Sequence, residues 1–200
     1  MEDILGRPQE GVSVEGVSVE KGEINIKLLE EDALLTLASG RIQIHNSNDP
    51  ITLTADDMDF KAGDNTIIGS GELIIQATSN PWNYYLGTYA EDYLGKPYNH
   101  PQALDLCRRD LSALEDGFEK IKIGARLSVS SEADSDTTQD NRVNQMFFGN
   151  AEFRDEAYFY AEKIVIAGEV NATKGEISHR GDYLDFSCQT MEIMTTHLHT

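Results

Sequence analysis

The sequence predicts a mainly β protein built from short stacked strands, with one amphipathic helix near residues 101–116. Three observations support this fold class. Apolar and polar residues alternate in short runs, as they do in strands that bury one face. Glycine, asparagine, aspartate and serine separate the runs at intervals of roughly six to ten residues, and these residue types favour turns. A helical period of apolar residues appears in one segment only.

The first region that we distinguish, residues 1–77, is β-rich. It opens with a five-residue tandem at 11–15 and 16–20, in which valine alternates with polar residues as in a strand. Strands this short and regular fit a sheet stacked rung on rung, a sandwich or a roll, and the pattern leaves these three open. The alternating runs that follow the tandem lie at 24–28, 33–37, 41–45, 51–54, 58–60, 66–68 and 72–76.

The second region, residues 78–120, interrupts this pattern with a Tyr-rich loop and a helix. The segment 82–98 holds one tryptophan and five tyrosines, which either anchor an irregular loop on the sheet or form an interface or binding pocket. The helix follows: Pro101 suits its first turn and Gly117 suits its end. It packs either on its own sheet or against copies of itself. Its apolar face consists of Leu104, Cys107, Leu111 and Leu114.

The third region, residues 121–200, is again β-rich and consists of short, rung-like runs. A polar run at 131–141 contains three aspartates but has no mid-loop glycine and no glutamate at the twelfth position, so we interpret it as a solvated loop rather than a calcium site. Rungs this short are stable only when they stack on neighbours in the same chain or in other chains. The predicted runs are 146–148, 151–153, 157–160, 163–166, 168–170, 176–177, 183–186 and 191–193.

The composition excludes several partners. Asp and Glu number 35 and Lys and Arg 16, which gives a net charge of −19. A chain this acidic lacks the basic face that nucleic acid or an anionic membrane surface requires. The charge fits a very soluble protein, or a subunit held to its neighbours by apolar packing. The first residues have neither a basic nor an apolar region, so we expect no signal peptide, and no run is apolar over the ~20 residues of a membrane span.

Motifs that would indicate catalysis are absent from the sequence. There is no Gly-rich phosphate loop, Gly-x-Ser-x-Gly, His-Glu-x-x-His or Cys-x-x-Cys, so we expect no enzymatic activity and no catalytic residues. Cys107 and Cys188 match no metal spacing and are interpreted as two small thiols. His45 ends a predicted strand and is interpreted as exposed or hydrogen-bonded. The tripeptide at 180–182, Arg-Gly-Asp, is interpreted as a turn that arises by chance.

His197 and His199 are the candidate metal ligands. In an extended strand both imidazoles project to the same side, about 6–7 Å apart. A single chain offers two nitrogen ligands, whereas three chains around a threefold axis would offer six. Zinc prefers four ligands, so an octahedron of six nitrogens indicates iron, nickel or cobalt. The alternative is a polar tail without a site, because chain ends fray.

The segment from 161–170 to 196–200 resembles the central spike or tail-tip proteins of contractile-tailed bacteriophages and related injection machines. The resemblance implies a trimer whose chains intertwine as a β-helix, with an iron ion held on the axis by His197 and His199. It also implies a virion protein that joins the tail hub or baseplate and docks to or pierces the host envelope. The departure is that no OB-like barrel, frequent at the start of such proteins, is identifiable in 1–77.

A second resemblance competes for the first region. Residues 49–60 and 66–75 are similar to the β-jellyroll repeats of periplasmic lipopolysaccharide-transport proteins. It implies an open roll that binds acyl chains, and it expects a signal peptide or a membrane anchor. We therefore expect a non-enzymatic, trimeric structural protein of a phage tail tip, with a lipid-binding roll as the alternative.

Overall fold

The computed structural model describes residues 11–30, 33–78, 83–88, 103–124, 143–172, 177–180 and 183–186. This part of the chain is mainly β, which confirms that element of the prediction. The strands are β1 Gly11–Val14, β2 Val17–Val19, β3 Ile24–Lys27, β4 Leu34–Leu37, β5 Ile42–Ile44, β6 Ile51–Thr54, β7 Asp57–Phe60, β8 Ile67–Ile68, β9 Glu72–Gln76, β10 Asn83–Leu86, β11 Ala103–Leu106, β12 Lys120–Ile123, β13 Val143–Phe148, β14 Ala151–Phe153, β15 Ala157–Ile166, β16 Val170–Ala172, β17 Ile177–Arg180 and β18 Tyr183–Phe186, and the helix α1 is Arg108–Ser112.

The strands form three parallel stacks, and the chain visits each stack in turn. Gly11 lies beside Leu34, and Leu34 beside Asp57, so one turn of the coil takes about 20 to 25 residues, the period of a solenoid. The first stack holds β1, β4, β7, β11, β10, β13, the second half of β15, and β18. The second holds β2, β5 and β8, then β14 and β16. The third holds β3, β6, β9, β12, the first half of β15, and β17.

The hydrophobic core fills the space between the three stacks. Alternate residues of each strand point inward, and the parallel register sets each inward residue on the equivalent residue of the next rung. Leu37 thus stacks on Phe60, and Leu53 on Ile75. Burying each such side chain contributes about 1.5–3 kcal/mol. Fully buried residues from all three stacks include Leu35, Leu37, Ile42, Ile51, Leu53, Phe60, Ile67, Leu73, Ile75, Ile123, Phe148 and Phe153.

The segment that suggested a lipid-binding roll contributes to this packed interior. Ile51, Leu53, Leu73 and Ile75 have no exposed surface. They fill the inside of the coil with side chains, so they give no support to an open roll. In the described part of the chain, no helix is long and apolar enough to cross a membrane.

The prediction of a helix near 101–116 is wrong for the first half of that range. Residues Ala103–Leu106 form the strand β11, and α1 spans only Arg108–Ser112. Leu104 and Leu106 are two residues apart, which is the spacing of a strand, and β10 supplies parallel backbone partners that override a helical preference. Gly117 does not end the helix. Its φ of 141° belongs to a later turn.

The order of strands in the first stack is reversed at one place. β10 precedes β11 in the chain, yet β11 lies between β7 and β10. The chain therefore skips a position at β10 and returns to fill it with β11, after which α1 covers the second stack. The third stack joins β9 directly to β12, so residues of the first and third predicted regions share one sheet. The division into the regions 1–77, 78–120 and 121–200 stays a prediction.

Candidate functional site

The predicted metal ligands, and several residues that were interpreted as having no site role, lie outside the described residues. These are His197 and His199, Cys188 and the aspartates of the run at 131–141. No cluster of three or more potential metal ligands occurs among the residues that the structure describes. His45 is exposed and its Nε2 lies 2.8 Å from Ser18 Oγ on the neighbouring rung, as expected for an ordinary hydrogen-bonded histidine.

Cys107 carries a half-buried free thiol and lies directly after β11, at the N-cap position of α1. Burial, together with the nearby Asp110 carboxylate, raises the pKa of its thiol to about 12. The thiol is therefore protonated at neutral pH and is a poor nucleophile.

Two tyrosines of the segment 82–98 can be described, and they face opposite ways. Tyr84 points into the core, where its hydroxyl accepts a hydrogen bond from Ala77 N at 2.9 Å. Tyr85 points outward and stacks on Phe147 of the next strand, with 5.2 Å between ring centroids. At β10 the tyrosines thus anchor the reversed strand on the coil, one of the two roles that the sequence left open.

Four aspartates meet where β11 and α1 dock on β7, and we call them the acidic junction. They are Asp57 and Asp59 on the outer side of β7, Asp105 on β11 and Asp110 in α1. Asp105 and Asp110 are buried, with 8% and 4% exposed surface. Carboxylates this buried need hydrogen bonds or opposite charges to be tolerated.

Backbone amides donate hydrogen bonds to two carboxylates of the acidic junction. Asp110 accepts one from Phe60 N at 2.8 Å and one from Cys107 N at 3.0 Å. Asp57 accepts from Met58 N at 2.8 Å and from the backbone of Asp105. The carboxylates therefore fasten β11 and α1 to β7 where the strand order is reversed.

The charges of the acidic junction are only partly neutralised. Asp59 pairs with Arg109 and, at 2.7 Å, with Lys61. Burial, with smaller contributions from the neighbouring Asp110 and Asp59 carboxylates, raises the pKa of Asp57 to about 7. Burial also raises the pKa of Asp110, against the hydrogen bonds it accepts. Asp57 therefore changes between its protonated and its ionised form around neutral pH.

A pocket of about 280 Å³ lies beside this junction, between α1 and the second stack. We call it the lateral pocket. It exists because α1, rather than a strand, packs next to β14, so the outer surface of β14 and β16 is left open on one side. Its lining residues are Arg108, Leu111, Ser112, Asn150, Ala151, Glu152, Arg154, Glu169 and Asn171.

The wall of the lateral pocket is held by a network across three turns. Asn150 Oδ1 accepts from Glu169 N at 2.8 Å, and Asn171 Nδ2 donates to Glu169 Oε1 at 2.9 Å. Asn150 N donates to Thr88 Oγ1 at 2.7 Å. Gly87 is required in this contact, because its φ is 70° and a Cβ there would meet Asn150 O at 2.2 Å.

The side chains of the lateral pocket offer hydrogen-bonding groups for a small ligand. They bring together guanidinium, carboxylate, amide and hydroxyl groups around Leu111 and Ala151. None of the lining residues is a histidine or a cysteine, and Ser112 Oγ lies 2.5 Å from the Asp64 carboxylate on the outer surface. These groups can hold a small polar ligand through hydrogen bonds.

Sequence reasoning missed the lateral pocket because its residues come from distant parts of the chain. The usable signal was the pair of turns before β14 and β16, Gly149-Asn150 and Gly168-Glu169, which parallel stacking sets above one another. Comparison with protein-family models, with curated proteins and with solved structures gave no match.

Proposed function

We propose that this chain is a non-enzymatic structural protein, a stiff β-solenoid component of a phage tail tip or baseplate spike. The observation that carries the proposal is the single core that runs through the coil from β3 to β15. Each rung is hydrogen-bonded to the next and packed on it, so a load along the coil is shared by all three stacks.

The dimensions fit a short rod. Six strands follow one another in the third stack, and at about 4.8 Å per strand they span about 25 Å. Parallel stacking also leaves few free strand edges along the length of the coil, which limits unwanted pairing with other chains. A soluble, acidic surface around such a core suits a component that must not bind the nucleic acid packaged in the same particle.

The oligomer that we propose is a homotrimer, in keeping with the tail-tip resemblance. The described strands find their partners within one chain, so we favour three closed coils that associate over the coil surface and near the C-terminus, rather than chains intertwined throughout. His197 and His199 of three chains would then supply the six imidazoles for an iron ion on the axis. The partners would be the tail hub or baseplate and, on infection, the host envelope.

The mass in solution tests the trimer. Multi-angle light scattering at micromolar concentration is expected to give three times the chain mass of 22.2 kDa. A monomer at that concentration would contradict the trimer.

Elemental analysis tests the metal at the proposed tip. The double variant His197→Ala/His199→Ala is expected to lose one iron per three chains. The matched control is His45→Ala, which removes an exposed histidine whose described contact is with Ser18 and is expected to keep the iron. An equal iron content in both variants would rule out the tip site.

A further inference from the structure

The charges that line the lateral pocket balance one another. Arg108 and Arg154 oppose Glu152 and Glu169, although the chain as a whole carries −19. A pocket built for a cation or an anion carries an excess of the opposite sign. The balance here favours a ligand without net charge.

Two groups of the lateral pocket retain hydrogen-bonding capacity. A guanidinium has five N–H donors, and within the described residues Arg154 donates one hydrogen bond, from Nη1 to Asn65 Oδ1. Glu152 is exposed, and no hydrogen bond or ion pair joins its carboxylate to another residue in the described part of the chain. One group offers paired donors and the other paired acceptors.

The geometry of the strands brings acceptors and donors side by side. Glu152 and Asn171 are register partners on β14 and β16, so their side chains leave the same outer face about 4.8 Å apart. A carboxylate and an amide side by side on one face can accept from and donate to different hydroxyls of one ring. Leu111, which is largely buried, lines the same pocket and provides an apolar contact for the carbon side of such a ring.

The volume limits the size of the ligand. About 280 Å³ lies just below the ~300–1,000 Å³ that is typical of drug-sized ligands. This is room for a single small ring with its substituents. The absence of aromatic side chains from the lining means that hydrogen bonds, rather than ring stacking, would carry recognition.

We propose that the lateral pocket binds one neutral sugar ring, either as a free monosaccharide or as one residue of a glycan, through Arg154, Glu152 and Asn171. The inference stands on the pocket alone, whether or not the chain is part of a tail tip.

Amide-detected NMR titration tests this binding at the site itself. The probes are glucose, galactose and N-acetylglucosamine as neutral sugars, with glucuronate and inorganic phosphate as charged competitors, each up to roughly 50 mM, well above a weak Kd of about 1 mM. We expect at least one neutral sugar to shift the side-chain amide signals of Asn150 and Asn171. The amide of Asn25, exposed on the third stack, serves as the internal control and is expected to stay in place.

Variants identify the residues that carry the binding. Glu152→Ala is expected to lower the affinity for the neutral sugar at least tenfold, because it removes two acceptors. Glu152→Gln is expected to lower this affinity less. Glu23→Ala, which removes an exposed glutamate remote from the pocket, is the matched control and is expected to bind as the native chain does.

Three results would overturn the proposal. They are no shift of Asn150 and Asn171 with any neutral sugar, tighter binding of glucuronate or phosphate than of every neutral sugar, and equal affinity in Glu152→Ala and Glu23→Ala. Binding of the free sugars together with a longer oligosaccharide at higher affinity would identify a glycan as the source. None of these outcomes depends on the mass or the iron content that test the tail-tip proposal.

Discussion

The third stack and the first stack of the coil are built differently. The third is regular: β3, β6, β9, β12, β15 and β17 follow in chain order, and apolar side chains fill its inner face. The first is interrupted at β10 and β11, where the order reverses, four aspartates are partly or fully buried and α1 docks on β7. The regular stack contributes stability, whereas the interrupted stack accepts buried charge and creates the lateral pocket.

The largest expected effect is a loss of core packing in the regular stack. Ile75→Ala should lower the free energy of unfolding by about 2–5 kcal/mol, because the side chain has no exposed surface and leaves a cavity. The matched control is Ile74→Ala, the neighbouring residue on the outer face of the same strand, which should cost less than about 1 kcal/mol. Urea denaturation measures both, and equal losses would contradict the assignment of inner and outer faces.

A pH-dependent effect is expected next, in the interrupted stack. The folded-state pKa of Asp57 is raised to about 7, so the folded chain holds a proton that the unfolded chain has lost from about pH 4 upward. The stability that Asp57 contributes is therefore fully present below about pH 4. It is lost as the pH rises to about 7, and the loss is on the order of 4 kcal/mol.

Asp57→Asn measures this pH-dependent contribution directly, because it removes the titrating group and keeps the shape of the side chain. The variant should equal the native chain in urea stability near pH 4.5 and exceed it at pH 8. Parallel stability curves for the two proteins over that range would show that Asp57 does not hold its proton.

A smaller effect is expected for the carboxylate that fastens α1. Asp110→Ala leaves Phe60 N and Cys107 N without their acceptor, at a cost of about 1–3 kcal/mol. Relief of its repulsion with Asp57 offsets part of the loss. Hydrogen exchange should accelerate at Phe60 and Cys107, while Ile75 N in the third stack keeps its protection. Uniform acceleration across all three sites would indicate global destabilisation instead.

The smallest effect is expected on the outer surface of the third stack. Lys122 Nζ lies 2.7 Å from Glu72 Oε2, and this hydrogen bond holds the pKa of Glu72 below its usual range. Exposed pairs contribute about 0–1 kcal/mol and are screened by salt. Lys122→Ala should therefore cost less than 1 kcal/mol, and molar NaCl should erase the difference. A salt-independent loss would mean that the lysine stem, rather than its charge, stabilises the sheet.

The regular parts of the fold were predictable from the sequence, and the reason is local. In 51–54 and 72–76 alternation fixes which residues point inward, and the observed strands β6 and β9 have these bounds. The choice among stacked sheet, sandwich and roll was not predictable, because strand length does not reveal whether neighbours pair in parallel. The parallel register decides it.

The interrupted region was mispredicted for physical reasons that single residues make plain. Leu104, Leu111 and Leu114 satisfy a helical period. Leu104 nevertheless lies in a strand, because β11 pairs with β10, about 20 residues earlier in the chain. Residues 157–160 and 163–166 were predicted as two runs, yet β15 is one strand whose buried Ala161 passes the chain from the third stack to the first. The lateral pocket depends on the same long-range register.

The central claim is that each coil closes within one chain, and an engineered disulfide tests it most directly. Thr52 and Ile74 are outward-facing register partners on β6 and β9, and adjacent strands lie about 4.8 Å apart, within the range for a disulfide. In a Cys107→Ser/Cys188→Ser background, oxidised Thr52→Cys/Ile74→Cys should run on a non-reducing gel as a single cross-linked chain. The control Thr52→Cys/Lys122→Cys, one strand further apart, should stay reduced. Covalent dimers or trimers of the first pair would contradict the account.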